Sequence, residues 1–292
     1  MPELPEVEVT RRQIEPLLVG RKISAVVTTK QSYFFLTRPA ALARALRGRL
    51  IQRLERRGKY LVGHLDDGGR LLLHLGMTGQ LFAAGASSPR LLVSRAQAAL
   101  SPEQQCAGFR PDAHTHLCLR FDDAGPEVYF RDTRKFGKVQ LLRRGEPSER
   151  LDKLGVDALA ARGGDLFDAT RRRAAAIKSV LLDQGVLAGV GNIYADEALF
   201  LASMRPTRKA ASLSRAACDL LVREVQRVML RSIDTGGSSI SDYVRAYGSD
   251  GGYQDERRVY GRAGEPCPRC GSRIRRIVLG QRSSFFCPRC QR

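Results

Sequence analysis

Cys267-Pro-Arg-Cys270, then Gly271-Ser-Arg-Ile-Arg-Arg-Ile-Val-Leu-Gly-Gln-Arg-Ser-Ser-Phe-Phe286, then Cys287-Pro-Arg-Cys290: this stretch decides how the chain is organised. Two C-x2-C pairs at this separation form a zinc-ribbon pattern. Cys267, Cys270, Cys287 and Cys290 supply the four thiolates that a closed, tetrahedral structural zinc site favours. The residues between them read as strand, tight turn at Gly280-Gln281, strand. They carry Arg273, Arg275, Arg276 and Arg282 and no acid. A metal-stapled hairpin with only positive charge suits phosphate. Disulfides or redox CxxC pairs are the competing readings. The acidic start, Met1-Pro-Glu-Leu-Pro-Glu-Val-Glu8, lacks the apolar core of a secretory signal, and no βαβ pattern surrounds the cysteines.

Before the hairpin lies a Gly/Ser/Tyr-rich stretch, 236–264, and before that a helical region. Ser212–Ile233 reads as a long amphipathic helix, with Leu213, Ala217, Leu220, Leu221, Val225 and Val228 at helical spacing. Thr170–Gln184 reads as one helix. Asn192 is placed to cap another, Ile193–Ala202, with Asp196 and Glu197 near its positive end. Gly145-Glu-Pro-Ser148 opens this region.

Upstream the pattern is strands: Lys22–Thr29, Arg49–Arg56, Tyr60–Leu65, Arg70–Leu75, Leu117–Phe121, Glu127–Phe130 and Lys138–Leu142. Turns such as Asp66-Asp-Gly-Gly69 separate them, which argues for a sandwich or barrel. A helix at 39–47 interrupts the strands, and another, 5–19, precedes them with Pro5 in its first turn. Residues 83–113 have no clear period and read as a long insertion. The fold class is α+β and multidomain: 1–148, 149–262 and 263–292.

The chain has 292 residues and a formal net charge of +19, with Lys+Arg at 49 against Asp+Glu at 30. Such an excess speaks about partners, and nucleic acid leads. No apolar run approaches the roughly 20 residues of a membrane-spanning helix. Cys106, Cys118 and Cys218 are isolated and read as free thiols, so the expected compartment is reducing: the cytoplasm, at the nucleoid.

Pro2 follows an initiator Met that a small second residue usually allows to be removed. The result would be a free secondary amine beside Glu3 and Glu6. An α-amino group has a pKa of roughly 7.7–8.0, which leaves a neutral, nucleophilic fraction near pH 7. Amines attack sugar or carbonyl carbons and form Schiff bases, and Glu3 could move the protons. Taken alone, the same residues also read as a flexible terminus that opens a helix.

Five segments weigh on that choice. Met1-Pro-Glu-Leu-Pro-Glu-Val-Glu8, Arg57-Gly-Lys-Tyr-Leu61, His74-Leu-Gly-Met-Thr-Gly79, Asp132-Thr-Arg-Lys-Phe-Gly137 and Gly189-Val-Gly-Asn-Ile-Tyr-Ala-Asp-Glu197 occur in this order. Val259-Tyr-Gly-Arg262 then leads into the zinc ribbon. Together they resemble the formamidopyrimidine-DNA glycosylase family (Fpg, also called MutM) over nearly the whole chain.

The resemblance implies an N-terminal β-sandwich with flanking helices, a helix–two-turns–helix domain and a zinc hairpin gripping DNA. It implies a monomer acting on double-stranded DNA that contains oxidised purines, with one structural zinc. Pro2 becomes the nucleophile at C1′, Glu3 the general acid/base, and Glu6 a support. Lys59 becomes a phosphate contact near the lesion. Met77, Arg134 and Phe136 match residues that fill the gap left by a base pulled from the stack. Read without the motif, Met77 and Phe136 are core candidates and Arg134 is a surface one. Lys178, Asn192 and Arg282 match further DNA contacts, and His74 takes a supporting role. Gly236-Gly-Ser-Ser239 through Tyr253 corresponds to a loop over the flipped base, whereas Arg171-Arg-Arg173 reads as a generic basic face. Leu4 and the zinc ribbon favour the purine branch over the endonuclease VIII branch for oxidised pyrimidines. A zinc-containing damaged-DNA binding protein without catalysis is the alternative of a different kind.

Overall fold

The computed structural model describes residues 2–87, 109–171, 173–239, 243 and 245–292. Most of the 83–113 insertion, Cys106, Met1, Arg172 and four positions of the 236–264 stretch lie outside the described residues. The chain divides into two compact units. One is Met1–Ser148 with Thr235–Gln254, the other Glu149–Asp234 with Asp255–Arg292.

In the first unit, helix α1 (Leu4–Leu18) starts at an N-cap, Glu3, whose backbone N–H donates to the Glu6 carboxylate at 2.8 Å. Val7, Ile14 and Leu18 recur at helical spacing on its buried side. Two four-stranded antiparallel sheets follow. One runs β1 (Ile23–Thr28), β6 (Thr115–Phe121), β7 (Val128–Asp132), β5 (Gly79–Ala83). The other runs β2 (Ile51–Arg57), β3 (Tyr60–Leu65), β4 (Arg70–His74), β8 (Lys138–Leu142). Leu117, Leu119 and Phe130 from the first sheet share one core with Leu54, Leu61, Leu73 and Val139 from the second. That shared core makes the pair a β-sandwich. Helix α2 (Pro39–Leu46) adds Leu42 and Leu46 to it.

Strand β5 was not expected from the sequence. All five of its residues are buried, so it lacks the in–out alternation that marks a half-exposed strand. Where the described chain leaves and rejoins the insertion, Phe109 N–H donates to Ala86 O at 2.9 Å and the Phe109 ring meets Phe82 edge-on. Residues 235–254 dock on this unit. Ala246 N–H donates to the Gln13 side chain at 2.9 Å, Ala83 N–H donates to Ala246 O at 3.1 Å, and Ala246 joins the sandwich core.

The second unit contains α3 (Glu149–Asp152), α4 (Gly163–Thr170), α5 (Ile177–Leu181), α6 (Asn192–Leu201) and α7 (Arg215–Asp234), with a short parallel pair β9 (Val156–Asp157) and β10 (Leu187–Ala188). Both α4 and α6 pack on α7, and Tyr194 and Ser232 hydroxyls meet at 2.6 Å between the latter two. The single helix expected over Thr170–Gln184 is instead the end of α4, a break, and α5. The break exists because residue 176 turns extended and pairs with Lys209, while Ile177 N–H donates to Arg208 O at 2.8 Å. The hairpin strands are β11 (Arg275–Leu279) and β12 (Arg282–Phe286). Gly280 and Gln281 both have positive φ, 50° and 60°, as a two-residue primed turn requires.

The expected 149–262 and 263–292 segments share packing. Phe200 and Val259 share a core with Ile274, Cys267 and Cys287, so hairpin and helices form one unit. The loop 235–254, assigned by sequence to the helical region, belongs with the sandwich because its backbone bonds run to α1 and β5.

Candidate active site and nucleic-acid interface

Two segments of the first unit meet at the start of α1, and the turn bearing Lys59 is tied to the same helix further along, through Arg56 and Glu8. Glu3 and Glu6 are both buried, at 2 % and 1 % exposure. The Glu6 carboxylate accepts Glu3 N–H at one oxygen and Ser238 N–H at the other, 2.8 and 2.9 Å. It therefore links the start of α1 to the 235–254 loop. Gly237 lets this happen: its φ is +86°, and a Cβ there would come within 2.8 Å of the Tyr243 ring and 3.3 Å of Glu6 Cγ. Pro2 is buried beside Glu3. Lys59 is buried at 8 % exposure in the two-residue turn between β2 and β3, where Arg57 pairs with Tyr60.

The residues expected to enter the duplex stand on two neighbouring turns. Met77 and Phe136 are 36 % and 42 % exposed, so neither is a core residue of the free chain. Arg134 is exposed, with its guanidinium carbon 4.7 Å from the Phe136 ring centroid. Asp132, fully buried, builds this arrangement. Its carboxylate accepts Arg134 N–H at 3.2 Å and Gly137 N–H at 2.7 Å, and it accepts the Thr78 hydroxyl. Thr78 in turn accepts Arg134 N–H at 3.2 Å. The turn bearing Met77 and the turn bearing Arg134 and Phe136 are thus one hydrogen-bonded body. Gly76, with φ +63°, permits their approach, because a Cβ there would lie 2.4 Å from Gly137 N. His74 supports the first turn by accepting Gly76 N–H at 3.1 Å. Tyr33 supports the second by donating to Arg134 O at 2.7 Å.

Sequence reasoning named Arg134 and Phe136 but missed Asp132, Thr78 and Tyr33. Asp132 had a legible signal, since Asp commonly bonds backbone two residues on. Thr78 and Tyr33 had none.

In the second unit two of the three expected contacts, Lys178 and Asn192, converge on one carbonyl. Lys178 Nζ donates to Ser283 O at 2.8 Å, and Asn192 Nδ2 donates to the same oxygen at 3.0 Å. Arg282, next in chain to Ser283, is exposed at the hairpin turn. Lys178 is 1 % exposed and pairs with Asp196, 0 % exposed, at 2.7 Å. In this state it braces the hairpin, its amine held between Ser283 O and the Asp196 carboxylate. Burial pushes the Asp196 carboxyl up, and Lys178 pulls it back down. Asn192 is the first residue of α6, whose N-cap is Gly191, so it does not cap the helix with its side chain as expected. Asp196 accepts Phe285 N–H at 2.9 Å. Glu197 accepts Arg258, Val259 and Tyr260 N–H at 2.8–2.9 Å, which fixes the Val259–Arg262 segment.

Cys267, Cys270, Cys287 and Cys290 place their sulfurs within 4.8 Å of one another. The Cys267–Cys290 and Cys270–Cys287 pairs stand at 3.9 and 3.5 Å, far beyond a disulfide bond. Tetrahedral zinc with bonds of about 2.3 Å needs sulfurs about 3.8 Å apart, so the cage fits the ion. Arg269 and Cys290 backbone N–H groups point at sulfurs, 3.4 Å each, which suits thiolate ligands. The site is one structural zinc centre. Cys118 and Cys218 are buried thiols, and burial pushes Cys118 up to about 12, which favours the protonated form.

Residues 1–139 match the formamidopyrimidine-DNA glycosylase N-terminal domain, 154–244 its H2TH domain, and 264–292 the zinc finger found in FPG and IleRS. The chain belongs to the formamidopyrimidine-DNA glycosylase family. The Cupriavidus pinatubonensis member is 44 % identical over the full length of both chains, and the Herpetosiphon aurantiacus member 41 %. The crystal structure of the MutM (FPG) protein of Thermus thermophilus is 37 % identical, with TM-score 0.82 over 99 % of this chain and 98 % of that one. A Lactococcus lactis FPG mutant in complex with a Fapy-dG containing DNA is 34 % identical, with TM-score 0.85 over all of both chains. Like these glycosylases, the chain combines a sandwich, a helical segment and a zinc hairpin. Among its described residues no helix is long and apolar enough to cross a membrane.

Proposed function

We propose that this glycosylase excises oxidised purines such as 8-oxoguanine and formamidopyrimidines from double-stranded DNA and then cleaves the strand as an AP lyase. The observation that supports this most is the Glu6 carboxylate bonded to both Glu3 N–H and Ser238 N–H. It brings the Pro2-Glu3 start, the candidate nucleophile and proton carrier, to the loop that would cover a flipped base. The Pro2 nitrogen bonds to C1′ as the glycosidic bond breaks and the base leaves. Glu3 moves a proton at the sugar as the ring opens to an imine. Successive β- and δ-elimination then expel the 3′ and 5′ phosphates.

Met77, Arg134 and Phe136 would occupy the space vacated by the lesion, with Arg134 facing the orphaned partner base. Lys59 would contact a phosphate beside it. Arg282 and the neighbouring arginines would hold the backbone. The protein would act as a monomer in the cytoplasm, at the nucleoid. The Lactococcus relatives crystallised with Fapy-dG and with abasic-site DNA accord with this reading.

Borohydride trapping on abasic duplex DNA tests it. Mature protein should form a covalent adduct that maps to Pro2, and blocking the terminal amine should abolish it. An adduct on an internal lysine, or one that survives the block, would sink the assignment. Duplexes with single defined lesions separate purine from pyrimidine preference, and binding without any cleavage would favour the non-catalytic alternative.

A further inference from the structure

The Glu8 carboxylate gathers three guanidinium groups. Arg11 and Arg12 reach it at 3.0 and 2.8 Å from the same helix, and Arg56 reaches it at 3.2 Å from β2. The Arg56 side chain is only 10 % exposed, so this contact is little screened by water. The same guanidinium donates from Nη1 to Gly58 O at 3.0 Å.

That carbonyl belongs to the peptide group whose nitrogen is that of Lys59. Gly58 has φ +56°, and the turn between Arg57 and Tyr60 holds only Gly58 and Lys59. Rotation of this peptide plane would swing Lys59, so a bond to its oxygen fixes the direction in which Lys59 leaves the turn. Glu8 stands on the helix capped by Glu3, one residue after Pro2. One planar guanidinium therefore connects the helix bearing Pro2 and Glu3 to the turn bearing Lys59.

We propose that Arg56 is a positioning residue: through Glu8 and the Gly58 carbonyl it holds Lys59 in register with Pro2 and Glu3 for the reaction on DNA. The inference rests on the roles given to Pro2 and Lys59 above. The forked geometry is what matters, because a guanidinium can serve two acceptors in fixed directions and an ammonium on a flexible stem holds neither direction. The fold does not hang on it, since Glu8 keeps Arg11 and Arg12 when Arg56 is removed. Misplacement by about an ångström can cost a reaction as much as about a hundredfold.

The test compares wild type, Arg56→Lys and Arg56→Ala in single-turnover borohydride trapping on an abasic duplex, with DNA affinity and melting temperature measured alongside. Arg56→Lys should melt like wild type and bind DNA within about twofold, yet trap about tenfold more slowly. Arg56→Ala should be slower still and regain rate when guanidinium is added. Wild-type trapping rates in Arg56→Lys, or a loss in Arg56→Ala that follows its affinity or melting temperature and ignores guanidinium, would overturn the proposal. A wild-type protein that forms no adduct would instead overturn the reading of Pro2, and with it the purpose assigned to Arg56.

Discussion

Lys178 Nζ and Asp196 Oδ1 lie 2.7 Å apart, with side chains 1 % and 0 % exposed. Lys178 also donates to Ser283 O, and Asp196 accepts Phe285 N–H, so the pair grips the β12 backbone at two alternate residues. Breaking a buried pair by removing one partner strands the other charge, at about 3–5 kcal/mol. Asp196→Ala should therefore destabilise the second unit and loosen the hairpin, lowering DNA affinity although Asp196 itself is fully buried. Differential scanning calorimetry and DNA titration check this. A variant with wild-type melting and affinity would refute the bracing role.

The Asp132 body predicts a substrate-dependent defect at Phe136. An abasic site needs no base broken out of its stack, a step that costs a few kcal/mol, whereas a lesion base does. Phe136→Ala should slow excision from duplex DNA about tenfold or more and abasic-site cleavage by less than about threefold. Single-turnover rates on the two substrates decide. Equal losses on both would argue that Phe136 serves only packing.

Scaffold and contact separate in the zinc hairpin. Cys287→Ser should lose zinc and melt the hairpin, because structural zinc contributes folding energy directly. Arg282→Ala should keep its zinc but bind more weakly, with a salt dependence less steep by about one unit per lost phosphate contact. Metal content and affinity at several salt concentrations distinguish the two. Unchanged affinity and salt slope in Arg282→Ala would make the hairpin a structural cap.

His116 introduces a pH term. It is fully buried, with one ring nitrogen 2.9 Å from Asp132 O and the other 3.1 Å from the Thr29 hydroxyl. Burial holds its pKa below the usual 6.5, the Asp132 carbonyl partly opposes this, and Lys135 adds to it. A folded-state pKa below the unfolded one means that the unfolded chain binds more protons, so stability is full above the unfolded value and declines as pH falls through that window. Melting temperature should drop from about pH 7.5 to about 5.5 more steeply in wild type than in His116→Gln. Parallel slopes would remove His116 from the account.

Local patterns were enough to read much of this protein. The spacing of Cys267, Cys270, Cys287 and Cys290 announced the zinc cage, and Gly280-Gln281 announced its turn, because ligand geometry and positive φ are satisfied within a few residues. Helix α1 and the strands Tyr60–Leu65 and Lys138–Leu142 were legible from periodicity for the same reason. Strand β5 was not, since burial on both faces erases alternation. The break between α4 and α5 was not, because it is enforced by backbone pairing with residues about thirty positions away. Folding alone decided that Asp132 ties two turns together, that Lys178 faces inward and that the 235–254 loop sits on the sandwich. Each depends on partners distant in sequence, whose meeting no local propensity encodes, and a buried donor must take whichever acceptor the packed chain brings to it.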